Sequence, residues 1–139
     1  MAAESQAALT FGQCAAAFIA VKENEWKNAK HGEQWRTTLA TYADPVIGRL
    51  LVRDVRQAHI LKILEPIWTT KTETASRLRG RIENVLDYAA ALGYRSGDNP
   101  ARWRGHLDKI LATPSKVAKV EHHSALDYAG VGAFMIELR

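Results

Sequence analysis

An all-α fold is what this chain predicts, on three observations. Apolar residues recur at spacings of three and four along most of its length. Strand-like alternation of apolar and polar residues never persists beyond four positions. Glycine and proline fall singly between the periodic stretches, where they punctuate rather than build loops.

The first nine residues, MAAESQAAL, carry no pattern and are expected to form a disordered N-terminal segment. Thr10 is placed to open a helix that runs to Lys30, with Gln13 spaced to complete a capping box. Phe11, Cys14, Ala15, Phe18, Val21 and Trp26 supply its apolar face, and His31-Gly32 is expected to stop it. A second helix is expected over residues 33–42, with Trp35, Leu39 and Tyr42 inward. Asp44-Pro45 should close it, because a residue before proline avoids the helical region. A short extended turn near residues 51–54 leads to a helix over 55–64 that buries Ile60, Leu61 and Leu64, and Pro66 marks a corner.

The stretch TTKTETASRLRGRIENVLDYAAALG, residues 69–93, is the longest periodic segment. Thr70 or Thr72 can cap it and Gly93 can end it. Ala75, Leu78, Ile82, Val85, Leu86, Ala89 and Leu92 fall on one face. Asn99-Pro100 is expected to begin another helix running to about Leu111. ATPSKVAKVEHHS reads as a linker, and ALDYAGVGAFMIELR as one more amphipathic helix. The expected organisation is a helical domain over residues 10–112, followed over 113–139 by a linker and the start of a further unit.

Composition narrows the function classes. Charged residues at 24% and hydrophobic residues at 47% suit a soluble globular domain. There is no signal segment and no apolar run of about 18 residues, so a cytoplasmic protein without a membrane partner is expected. The single cysteine, Cys14, excludes an internal disulfide and lies in an apolar run, as a small buried hydrophobe would. The carboxylates are scattered, no glycine-rich phosphate loop occurs, and the five histidines show no metal-ligand spacing. His122-His123 sits in the linker, and Tyr128 has no base nearby in sequence. No cofactor, metal or complete catalytic centre is expected.

Charge is unevenly distributed. Between Pro66 and Lys119 there are ten Lys/Arg and five acids, a local excess of +5 in a chain whose net charge is +4. Such a half favours a polyanionic partner, nucleic acid before an acidic membrane surface. Arg77, Arg81 and Asn84 stand at i, i+4 and i+7 on one helical stripe, with Lys71 and Thr74 at the head of the same helix. A helix is the right width for the major groove, where arginine grips phosphate or guanine and asparagine reads adenine. Spacing alone leaves a second reading open, in which Glu73–Arg77 and Arg79–Glu83 are ordinary exposed helix pairs. Arg102, Trp103, Arg104 and His106 add another basic cluster, and Lys27, Lys30 and His31 a third. Trp68 and Trp103 read as core anchors rather than base-stacking platforms.

Several motifs in this order resemble a known family. Trp35-x3-Leu39-x2-Tyr42-x2-Pro45-x-Ile47-Gly48 is followed by LEPIW, KTETASRLRGRIENVLDYA, DNPARWRGHLDKIL and EHHSALDY. Together they are similar to the core-binding domain of tyrosine recombinases, in particular prophage integrases. The resemblance implies a compact four-to-five-helix bundle of the SAM-like class that clamps double-stranded DNA at the attachment-site core during integration and recombination. It implies Lys71, Thr74, Arg77 and Arg81 as leading DNA-facing residues, with Asn99, Arg102 and Arg104 next. In assembled family members the first helix also touches neighbouring protomers of the same integrase. The family's catalytic residues follow the EHHSALDY-like junction, so this chain is expected to bind DNA without cutting it. The alternative is a helical protein-interaction module in which Phe11, Phe18 and Trp26 dock onto a partner and the basic face is merely solvated.

Overall fold

The computed structural model describes residues 9–115. The expected N-terminal segment (apart from Leu9), Lys116, Lys119, His122-His123, Tyr128 and the last expected helix lie outside the described residues. Within them the chain is an all-α domain. Its elements are α1 (Phe11–Glu23), α2 (Ala29–Thr38), a π-helical turn (Leu39–Ala43), α3 (Asp44–Ile47), a 3-10 turn (Val52–Asp54), α4 (Gln57–Trp68), α5 (Thr72–Ala91) and a second 3-10 turn (Leu107–Lys109).

The start of α1 follows the expected capping box. The Gln13 amide donates to Thr10 Oγ1 at 3.1 Å, and the Thr10 amide donates to Gln13 Oε1 at 3.0 Å. The Phe11 and Gly12 amides are satisfied by the carbonyls of Leu50 and Gly48. Phe11, Cys14, Ala15, Phe18 and Ile19 are buried, whereas Val21, expected inward, is exposed.

This helix ends at Glu23, well before Lys30, and Gly32 does not stop it. Gly32 lies buried inside α2, where an added Cβ would collide with the Glu23 carboxylate. That carboxylate lies along the helix to reach Arg36 at 2.7 Å. Glycine lets that carboxylate lie directly against the helix, and does not serve here as a left-handed stop.

Two prolines also sit within helical backbone, contrary to expectation. Asp44 keeps helical angles (φ −58°, ψ −40°), and its amide bonds to the Leu39 carbonyl five residues back. This wide turn eases the contact that a proline ring makes with the carbonyl four residues earlier, and Pro45 falls in the tolerant first turn of α3. Pro66 lies inside α4. It deprives the Lys62 carbonyl of a donor, but both residues are on the exposed side, where water reaches that carbonyl.

α5 is the spine of the bundle. Ala75, Leu78, Ile82, Val85, Leu86 and Ala89 are buried as their spacing predicts, and only Leu92 departs, at 49% exposure. Its end is a Schellman stop at Gly93 (φ 88°), with the Tyr94 amide donating to the Ala89 carbonyl and that of Gly93 to Ala90. Its start lacks the expected threonine cap. Lys71 occupies that position, and the Thr72 hydroxyl instead donates back to the Trp68 carbonyl at 2.7 Å.

The helix expected from Asn99 to Leu111 is replaced by turns and one 3-10 turn, because Gly105 takes a left-handed conformation (φ 77°). The segment is held by tryptophan. Trp68 is buried and stacks on Trp103 at 5.6 Å, and its Nε1–H donates to the Ala112 carbonyl at 2.8 Å. Both serve as core anchors.

Replacing Ile82 by Ala should cost about 2–5 kcal/mol in urea unfolding, because the buried spine position would be left as a cavity. The Glu23 carboxyl is held below its ordinary value of 4.5 by the hydrogen bond from Arg36. Its contribution to stability is therefore complete above 4.5 and is lost as pH falls through the lowered value. NMR titration should show Glu23 protonating below its ordinary value of 4.5, and Arg36→Gln should raise it back toward that value.

Candidate nucleic-acid interface

Between α2 and α5 runs a groove of about 640 Å³ lined by His31, Gln34, Trp35, Thr38, Thr74, Arg77 and Arg81. Three of the expected site residues, Thr74, Arg77 and Arg81, form its α5 wall because they repeat at three and four residues on one flank of the buried seam.

The two arginines play different parts. Arg81 is half-buried: its Nη1 donates to Thr38 Oγ1 at 2.6 Å and to the Gln34 carbonyl at 3.2 Å, and its guanidinium lies 5.4 Å from the Trp35 ring centre. Burial, and then the charge of Arg77, push its pKa down. Arg77 is exposed and has no ion-pair partner among the described residues, so the Glu73–Arg77 pair allowed by spacing does not form. It also borders a smaller cavity of about 290 Å³ with Thr72, Glu73, Ser76, Pro114 and Ser115.

The other expected residues lie elsewhere. Lys71 is exposed at the head of α5, and Asn84 is exposed one turn beyond Arg77 and Arg81. Arg79 occupies the opposite flank, where it pairs with Glu83 at 2.6 Å and donates to the Ala101 carbonyl at 2.8 Å. Its guanidinium lies 5.9 Å from the Trp103 ring centre. Arg102 and Arg104 are exposed on the turn attached to that flank, outside the groove.

Asn99 requires a correction. Its side chain is buried: Nδ2 donates to the Glu83 carbonyl at 2.9 Å and Asp87 Oδ1 at 2.8 Å, while Oδ1 accepts from the Ala101 amide at 2.9 Å. With both amide hydrogens and the oxygen engaged internally, it staples the turn to α5 and is not offered at the surface as a base-reading group.

The residues not foreseen are those of the facing wall, Gln34, Trp35 and Thr38. Their helical spacing was readable, but not which helix they would face. His31, expected near the end of the first helix, instead lines the groove from α2.

Chemically, the groove offers guanidinium, hydroxyl, imidazole and amide donors, with no carboxylate among the described residues that line it, a set suited to phosphates or base edges. No cluster of three His, Cys, Asp or Glu able to hold a metal occurs among the described residues. Cys14 is buried, its thiol directed at the Val85 carbonyl, and burial raises its pKa to about 11, which keeps it from acting as a thiolate. Among the described residues no helix is long and apolar enough to cross a membrane. Of the docking aromatics of the protein-interaction reading, Phe11 and Phe18 are buried, and Trp26 is partly buried against Trp35 and His31.

Removing Asn99 by substitution with Ala should destabilise the fold by about 1–3 kcal/mol, since its partners are left buried and unsatisfied. Arg81→Ala should also cost about 1–3 kcal/mol, whereas Arg77→Ala should stay within about 0.5 kcal/mol. Denaturant midpoints of the three variants measure the contrast.

Residues 11–106 match the phage integrase central domain. A solution NMR structure of a protein from Nitrosospira multiformis is 58% identical, with a TM-score of 0.67 over 73% of this chain and 96% of that one. No curated protein matches. An all-α domain with this core, matched over most of its length, belongs to the phage integrase central domain family.

Proposed function

We propose that the domain binds double-stranded DNA through the α2–α5 groove and the outward side of α5, as one jaw of a SAM-like clamp on an integrase attachment site. The observation that carries this reading is Arg77, an unpaired cation on α5 beside a second, uncompensated arginine, facing a groove of hydrogen-bond donors. Family membership supplies the duplex as the polyanion. In this reading Arg77, Lys71 and Thr74 grip phosphates, and Asn84 lies beside them, within reach of a base edge. Arg81 sustains the positive potential while holding the groove open. Arg102 and Arg104 extend the contact from the far flank of α5. Strand cleavage would then be the task of a catalytic domain in the same integrase, with other protomers completing the assembly, while this domain contributes grip and register. A single jaw binds weakly, because a clamp gains its affinity through effective concentration.

Duplex titration by fluorescence anisotropy across a salt series tests the proposal. Log affinity should fall with log salt by about 0.9 per phosphate neutralised. Arg77→Ala should weaken binding to all sequences alike and flatten the slope by about 1. Absence of binding at low salt, or an Arg77→Ala variant that binds with the same slope as the wild type, removes the proposal.

A further inference from the structure

Seven glycines fall within the described residues, and six have an evident structural reason. Gly93, Gly97 and Gly105 take left-handed angles. At Gly12, Gly32 and Gly48 an added Cβ would press on a neighbouring backbone or carboxylate. Gly80 has neither reason. It lies in the middle of the 20-residue α5 in ordinary helical conformation, and a Cβ there would meet no atom of the described residues within 4 Å. Apart from proline, no residue is a worse choice for a helix interior, and alanine would fit without contact.

Its surroundings indicate what does come close. Arg77 stands three residues before it, Arg81 follows it directly, and Asn84 lies one turn on. Ser76, Gly80 and Asn84 form a single i, i+4, i+8 row, so the helix surface dips between the groove arginines and the Arg79–Glu83 pair. We infer that Gly80 is a close-approach point, at which the sugar–phosphate backbone of a DNA strand rests directly on the backbone of α5, flanked by Arg77 and Arg81. A methyl group would hold that strand off the helix and lengthen the contacts of both neighbours. Glycine is kept there at the expense of helix stability because the partner, not the fold, needs the space. The inference rests on the DNA-binding reading and adds to it a specific surface of contact.

Gly80→Ala and Gly80→Leu test it, with thermal unfolding and duplex titration on each. Free of DNA, Gly80→Ala should unfold about 2–6 °C higher than the wild type, because a flexible helix position has been stiffened without a clash. It should bind duplex about tenfold more weakly, on the scale of one disrupted recognition contact. Gly80→Leu should bind more weakly still. Wild-type affinity in both variants overturns the inference while leaving the DNA-binding reading intact. A lowered melting temperature in Gly80→Ala also overturns it, because part of the chain itself would then cover the position. If the wild type binds no duplex, or Arg77→Ala leaves affinity and slope untouched, the inference falls together with the reading beneath it.

Discussion

The contact between Arg81 and the far end of α2 governs the shape of the groove between α2 and α5. α2 buries little of its own apolar surface; Gly32 is the one fully buried position in it. Its placement therefore depends on a few specific contacts rather than on a broad hydrophobic stripe. Trp35 packs on Phe18, which in turn meets Tyr88 of α5. Arg36 reaches Glu23 of α1, and Arg81 covers Trp35 while binding Gln34 and Thr38. Because Arg81 sits on the same helical stripe as Arg77, the residue that positions the groove and the residue that gives it an exposed charge are separated by one turn. The proposed contact surface and the joint that shapes it are thereby coupled.

Charge in the basic half is divided between structure and surface. Arg95 is consumed internally, its guanidinium holding the Val52 and Val55 carbonyls, and Arg79 is paired with Glu83. Lys71, Arg77, Arg102 and Arg104 remain exposed and are not in ion pairs among the described residues. The count of basic residues thus overstates the cationic surface, while the exposed remainder is gathered around α5 and the turn that follows it. α5 carries an exposed cation on the groove flank, at Arg77, and the turn packed on its other flank carries two more, Arg102 and Arg104.

Much of this was legible in the chain, and where it was not the reason is physical. The α5 spine was readable because six inward residues at three- and four-residue spacing admit only one face. The capping box at Thr10 and the stop at Gly93 are local motifs completed within a few residues, so tertiary context had little to change. Gly32, Pro45 and Pro66 misled for the opposite reason. Each has a strong local preference that was overridden, by the Glu23 carboxylate, by a π-helical turn and by solvent exposure respectively. Asn99 is the same case at the level of function. An asparagine in a basic segment looks available for a base, but its partners Glu83 and Asp87 come from α5, more than ten positions away. The stripe Thr74–Arg77–Arg81 was legible as a stripe; the groove was not, since its second wall is set by how α2 packs.

The departures from good folding practice lie close together, and that is informative. α5 has a glycine where alanine would fit, two neighbouring arginines whose charges repel, and a first turn that no side chain caps. Each lowers the stability of the free domain, and all fall between Lys71 and Arg81. The other half of the same helix, from Ile82 onward, follows the rules, with a regular buried seam and a complete Schellman stop. When local rules fail together over one span of an otherwise regular element, a partner that the free chain lacks is the natural source of compensation. Anionic groups seated along that span would screen the two guanidiniums, meet the free amides of the first turn and occupy the space above Gly80. One ligand would thus answer three separate irregularities, and on the DNA-binding proposal the amino-terminal half of α5 would be the contact surface and its carboxyl-terminal half the support.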